Sequence, residues 1–245
     1  MNDGRFSRRT FIRGSTSVGV GLAVASHLHG ETTSQKDKPI RWGLIGCGHR
    51  AHAAHLAAMQ SFPDDMEILG LCDISDDRLA SAMKKVKSAD SVERYTDYHK
   101  LLANPQLNAV MIATPNLLHS EMAIAALEAG KHVMCEKPMA ASIEQCRAMN
   151  DAAEKHPDQA VLYTMQLRYS PMYEVMRKQI EAGRIGQPKN ITFLESRGDW
   201  NDSPGIWKYT DPKTGKAMNW RFSHTASGGT LSEKVCHYFD IINWM

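Results

Sequence analysis

The sequence predicts an α/β chain: a doubly wound parallel sheet, followed by an incomplete α+β domain with a mainly antiparallel sheet. Three observations predict it. Ile40–Ile45 is a short apolar run that leads directly into Gly46-Cys47-Gly48-His49-Arg50-Ala51 and then into an alanine-rich helical pattern; this reads as strand, tight glycine turn and helix start. Apolar runs and helix-period segments alternate from there to about residue 182, as crossover-connected parallel strands require. Ala109–Ala113 is apolar throughout, as a strand covered on both faces must be.

The glycine turn carries the first chemistry. In G-x-G-x-x-A the first glycine permits the turn and the second lets backbone approach a pyrophosphate. The small third residue lets helix pack on strand, and the helix start faces the phosphates. Asp73 ends the next apolar run, Ile68–Cys72, where a strand tip meets the adenosine ribose hydroxyls. Together they point to a dinucleotide on a Rossmann-type sheet, in preference to a glycine turn with no ligand. Asp73 is followed by Ile74, which favours NAD because a 2′-phosphate would be repelled; Arg78 leaves room for NADP.

Taken in order, Ala51, Ala54, Ala58 and Met59 mark one helix face, closed by Pro63. Asp76–Lys87 reads as a helix of mixed charge and Val92–Thr96 as a short strand. Asp97 is placed to cap a small helix ending near Ala103. Thr114-Pro115-Asn116 turns the chain at the carboxyl end of Ala109–Ala113, the edge where open parallel sheets bind ligands. Leu118–Ala129 is the next helix, stopped by Gly130, and His132–Cys135 the next strand. Ser142–His156 is helical and Ala160–Gln166 a strand. Pro171–Ala182 is a helix with Met172, Val175, Met176, Gln179 and Ile180 on one face. The alternation then stops. Ile191–Glu195 reads as a strand of a different, antiparallel sheet, and the Trp-, Gly- and Pro-rich loop 197–229 as a substrate-side wall.

Composition is that of an ordinary globular protein, 42% hydrophobic and 23% charged, with a net charge of only +2. No basic stripe with interleaved aromatics appears, which excludes a nucleic-acid partner. The five cysteines form no CxxC pair and no metal-ligand spacing, so they read as packing residues. His49, His52 and His55 fall at spacings of three, but no carboxylate or cysteine joins them and no metal site is expected. Ser7-Arg8-Arg9-Thr10-Phe11-Ile12-Arg13 has the form of a twin-arginine export signal. It precedes an apolar run, Val18–Ala25, too short to span a bilayer, with an A-x-A-like cleavage site and a polar linker to Lys38. The organisation expected is therefore signal and linker over 1–38, a dinucleotide-binding domain over 39–167 and the start of a second domain over 168–245. Export of a folded, cofactor-loaded protein to the periplasm also suits unpaired cysteines.

Two further constellations stand out. Cys135-Glu136-Lys137-Pro138 puts a charged pair at a strand tip on the same sheet edge as the glycine turn. In Gly228-Gly229-Thr230-Leu231-Ser232-Glu233-Lys234-Val235-Cys236-His237, a helix from Leu231 puts Glu233 and His237 one turn apart. An imidazole held by a carboxylate is a competent general base near neutral pH.

These pieces resemble the glucose-fructose oxidoreductase, inositol dehydrogenase and rhizopine-catabolism family (Gfo/Idh/MocA). The resemblance rests on GCGHRA, ATPNLLH, EAGKHVMCEKP and GGTLSEKVCHYFD and covers Ile40 to Met245. It implies that Lys137 contacts the reacting oxygen, that His237 is the acid/base with Glu233 beside it, and that Arg168 lies next to the substrate. It implies a cofactor site built from Gly46, Cys47, Gly48, His49, Arg50, Asp73, Thr114, Pro115, Asn116, His119, Glu136 and Lys137. The activity implied is hydride transfer between a nicotinamide and a secondary hydroxyl of a sugar, cyclitol or related polyol. The alternatives are a glycosidase that uses bound NAD transiently, or a non-catalytic sugar or nucleotide binder. The full-length protein is expected to be a homo-oligomer. Two departures are visible: Glu233 stands where the family commonly has aspartate, and the family runs well beyond Met245. One strand and one helix cannot close a sheet domain, so the sequence reads as a fragment.

Overall fold

The computed structural model describes residues 38–195, 207–211, 214–229 and 231–245. The twin-arginine segment, the apolar run after it, residues 196–206 of the Trp-rich loop and Thr230 lie outside the described residues.

Six strands form one parallel sheet: β1 Ile40–Ile45, β2 Met66–Cys72, β3 Glu93–Tyr95, β4 Ala109–Ile112, β5 His132–Cys135 and β6 Val161–Tyr163. Their spatial order is β3-β2-β1-β4-β5-β6, with every pairing parallel. The winding reverses between β1 and β4, which opens a crevice at their carboxyl ends.

Side-chain alternation divides the core into two. Leu44 and Met111 belong to one buried cluster while Ile45, Val110 and Ile112 belong to the other, because successive residues of a strand face opposite sides of the sheet. On the Leu44 face lie α1, which is π-type at Ala51–His55 and α-type at Leu56–Met59, and α2, Asp76–Met83. On the Ile45 face lie α3 Tyr98–Leu102, α4 His119–Glu128 and α5 Ile143–Lys155. Each fully buried aliphatic side chain contributes about 1.5–3 kcal/mol over leaving it exposed. Three helices are started by side chains that accept from a freed backbone N–H: Ser75 from Arg78, Asp97 from His99 and Ser142 from Gln145.

The expected strand over Ile191–Glu195 does not form. Leu194 is 91% exposed, and no strand among the described residues offers the segment a ladder. The antiparallel pair lies instead inside the Trp-rich loop, as β7 Lys208–Thr210 against β8 Ala217–Asn219. The strand expected to run to Gln166 is shorter, because Gln166–Tyr169 curls into a 3₁₀ turn.

Two compact units divide the chain. One holds Asp37–Met165 with Leu194–Cys236, and the other holds Gln166–Phe193 with His237–Met245. In the latter, α6 Pro171–Glu181 exposes Met172, Val175 and Met176, and its buried residue is Arg177. The apolar face read from its spacing therefore does not form a core within this unit. Short α7, His224–Ser227, precedes the π turn Leu231–Val235, which runs into α8, Cys236–Trp244.

Candidate active site

The turn after β1 is built by two glycines with different duties. Gly46 has φ +95°, and a Cβ there would stand 2.6 Å from the carbonyl oxygen of Ala113. Only glycine lets β1 and β4 approach this closely. At Gly48 an added Cβ would meet nothing within 4 Å, so the second glycine faces open space that a side chain would fill. Asp73, at the tip of β2, accepts from the Cys47 N–H at 2.8 Å and the Ser75 N–H at 2.9 Å, with Arg78 Nη1 at 3.9 Å. Burial, with Asp73 adjacent, pushes the Cys72 thiol up to about 12 and the Cys47 thiol higher still. Both are inert packing groups. A glycine cradle beside a tethered carboxylate fits the pyrophosphate and ribose of a dinucleotide.

At the tip of β5, Glu136 is buried and takes donors on both oxygens. Oε1 accepts from Arg50 Nε at 2.8 Å and faces His55 Nε2 at 2.9 Å. Oε2 accepts from the Thr164 hydroxyl at 2.9 Å and the Lys137 N–H at 3.0 Å. Burial alone would raise this carboxyl, but the His55 hydrogen bond and the Arg50 charge outweigh it and hold it well below the usual carboxylate range. Both Glu136 oxygens are held by protein donors, and one of them fixes the backbone of Lys137. His55, whose spacing suggested a metal, serves this carboxylate; among the described residues no metal-holding cluster forms.

His119 is braced by backbone carbonyls. Its ring is fully buried, with Nδ1 2.9 Å from the Pro138 carbonyl oxygen and Nε2 3.0 Å from that of Thr114. It joins the tips of β4 and β5 from beneath, and the Lys137-Pro138 bond above it is cis. Thr114 and Pro115 lie at the β4 tip as predicted, and the Asn116 amide donates to the Ser227 carbonyl at 2.9 Å.

Lys137 Nζ donates to the Glu233 carbonyl at 2.5 Å and lies 3.3 Å from its Oε1, while Oε2 of the same carboxylate accepts from Arg221 at 3.3 Å. Glu233 is thus a buried counter-ion shared by two cations. Arg221 also lies 4.2 Å over the Trp207 ring, whose edge meets His49 at 6.0 Å and Trp220 at 5.9 Å. His55, Thr164, Arg221 and Trp207 were missed by sequence reasoning. Their partners are remote in the chain, and no spacing signals them.

The second compact unit holds Arg168 and His237. Arg168 pairs two guanidinium nitrogens with Asp240 at 2.7 and 2.5 Å, and Trp244 lies 5.9 Å below it. His237 stands near the start of α8.

A 3-2-1-4-5-6 parallel sheet with a glycine cradle, a tethered carboxylate and a lysine at one edge defines a dinucleotide-binding α/β protein of the oxidoreductase kind. The chain belongs to the Gfo/Idh/MocA oxidoreductase family with an NAD-binding Rossmann fold, whose model matches residues 40–164. It is 31% identical to levoglucosan dehydrogenase of Pseudarthrobacter phenanthrenivorans, over 83% of this chain and 50% of that protein. It is 27% identical to inositol 2-dehydrogenase of Salmonella typhimurium, over 84% of this chain and 54% of that protein. Among solved structures, levoglucosan dehydrogenase in complex with NADH and levoglucosan matches with a TM-score of 0.63 at 29% identity, covering 84% of this chain and 54% of that one. The WlbA dehydrogenase of Bordetella pertussis, in complex with NADH and UDP-GlcNAcA, matches with a TM-score of 0.66 at 25% identity, covering 86% and 58%. The chain spans about half the length of the curated relatives it matches.

Proposed function

We propose that the full-length protein is an NAD-dependent oxidoreductase that moves a hydride between the nicotinamide and a secondary hydroxyl carbon of a sugar, cyclitol or related polyol. The observation that carries it is Lys137: an ammonium on the ligand-binding edge of the sheet, its backbone fixed by Glu136 and its charge balanced by Glu233. A cation held there stabilises negative charge on a substrate oxygen. Bound NAD supplies the redox chemistry. Lys137 hydrogen-bonds the reacting oxygen, His237 takes or returns the hydroxyl proton, and Glu233 offsets the charge. Gly46, Cys47, Gly48, His49, Arg50, Asp73, Thr114, Pro115 and Asn116 contact the dinucleotide, and Arg168 lies on the substrate side. The named relatives are a levoglucosan dehydrogenase and an inositol 2-dehydrogenase, which supports this substrate class.

The same proposal places the full-length protein in the periplasm as a homo-oligomer. The Arg8-Arg9 pair addresses it to the twin-arginine machinery, which exports it folded with its nucleotide bound. Replacing both arginines by lysine should retain the protein in the cytoplasm, and unchanged export would refute the address.

The activity is tested in the full-length protein by following nicotinamide absorbance against levoglucosan, inositols and common sugars. Lys137→Met and His237→Asn should each abolish turnover while NADH still binds. Retained turnover in either variant would overturn that residue's role.

A further inference from the structure

Trp207, Lys208 and Ser227 are each fastened to a different strand tip. The Trp207 ring meets His49, on the turn after β1, at 6.0 Å. The Lys208 carbonyl accepts from Arg78 Nη2, at the start of the helix after β2, at 3.0 Å. The Ser227 carbonyl accepts from Asn116, after β4, at 2.9 Å. These tips border the crevice in which a sheet of this winding takes its dinucleotide. Two fastenings sit on groups at the cofactor site itself: His49 follows the open glycine, and Arg78 reaches toward Asp73 at 3.9 Å. Trp207 is also held by Arg221, which lies 4.2 Å over its ring and is in turn paired with the buried Glu233.

We infer that the β7–β8 hairpin is a clasp that slows release of the dinucleotide, with Trp207 and Arg78 as its fastenings. The clasp presupposes the NAD binding of the family. A nucleotide lying along the tips of β1, β2 and β4 leaves only when the Trp207 or the Arg78 fastening opens, so these residues act on release more than on capture. Neither residue takes part in proton or hydride transfer, and the hairpin pairs Lys208 with Asn219 and Thr210 with Ala217.

The experiment loads the full-length protein with NADH and follows loss of nicotinamide fluorescence after mixing with excess NAD. Trp207→Ala and Arg78→Ala should each speed release about tenfold while changing the association rate much less, and Trp207→Phe should stay within about twofold of the parent. Hydrogen exchange of the unmutated protein provides a second reading that needs no variant: the amides of Lys208, Tyr209 and Thr210 should exchange more slowly once NADH is bound. Release at the parent rate in both alanine variants, or hairpin exchange unaffected by NADH, would overturn the clasp and leave NAD binding intact. A protein that takes up no NADH would overturn both.

Discussion

Arg50 Nε and Glu136 Oε1 stand 2.8 Å apart across 86 residues of sequence, and this bond ties the glycine turn after β1 to the lysine-bearing tip of β5. Glu136→Gln keeps the shape and removes the charge, leaving Arg50 without its counter-ion and His55 with a poorer acceptor. The expected loss is about 2 kcal/mol of unfolding free energy at neutral pH, read as a lower urea midpoint with the same slope. An unchanged midpoint would show that the network does not stabilise the fold.

The same carboxylate sets an acid limit. Its folded value is depressed, by His55 and Arg50 acting against burial, so at low pH the unfolded chain binds a proton that the folded chain does not. Its stabilisation is complete above the unfolded value of about 4.3 and is lost as pH falls toward the folded one. Chemical denaturation at stepped pH should show the parent weakening below about pH 5 more steeply than Glu136→Gln.

His119 produces a second, higher window. Burial lowers its affinity for a proton, against the pull of the Pro138 and Thr114 carbonyls. A neutral ring has one N–H and donates to only one of those carbonyls. Because the unfolded histidine is protonated below about pH 6.5 and the buried one resists, stability falls as pH drops through that region. His52 and His132 are lowered by burial too, so the measurement is a difference. His119→Gln should be less stable than the parent at pH 8, with a shallower decline between about pH 7 and 5.

The two glycines of the turn should separate folding from binding. Gly46→Ala places a side chain at positive φ and 2.6 Å from a backbone oxygen, and should cost about 2 kcal/mol or more. Gly48→Ala places its Cβ in open space, so its melting temperature should hold while NADH affinity, measured by calorimetry, falls at least about tenfold. Equal effects of both on stability would contradict this division.

Cofactor choice should follow Asp73. Its carboxylate, held by the Cys47 and Ser75 amides, repels a 2′-phosphate, and Arg78 stands beside it. Asp73→Ser should therefore raise NADPH affinity and lower NADH affinity, moving the ratio of the two by at least about tenfold. Fluorescence titration with both nucleotides reads this directly, and an unmoved ratio would place the discrimination elsewhere.

The sheet was legible in the sequence because its signals are local. Runs such as Ile40–Ile45 and Ala109–Ile112 are apolar throughout, the helices between them are periodic, and Gly46, Asp97 and Gly130 mark turns and caps through their own backbone chemistry. The antiparallel pair was misplaced to Ile191–Glu195 because three-residue strands such as Lys208–Thr210 are too short for alternation to register.

What the sequence determined by itself was the fold class and the placing of Gly46, Asp73 and Lys137 at strand tips of one sheet, each carried by adjacent residues with a geometric reason to be together. Tertiary structure alone decided what those residues touch. Glu136 and His119 stand in motif positions, and the fold makes them braces for the β4 and β5 tips. The Glu233 carboxylate is shared by Lys137 and Arg221, and no spacing along the chain announces that pair of cations. Periodicity and motif spacing describe neighbours along the chain, whereas a charge buried in a low-dielectric interior takes whichever donors the folded backbone delivers to it, 81 or 96 residues away.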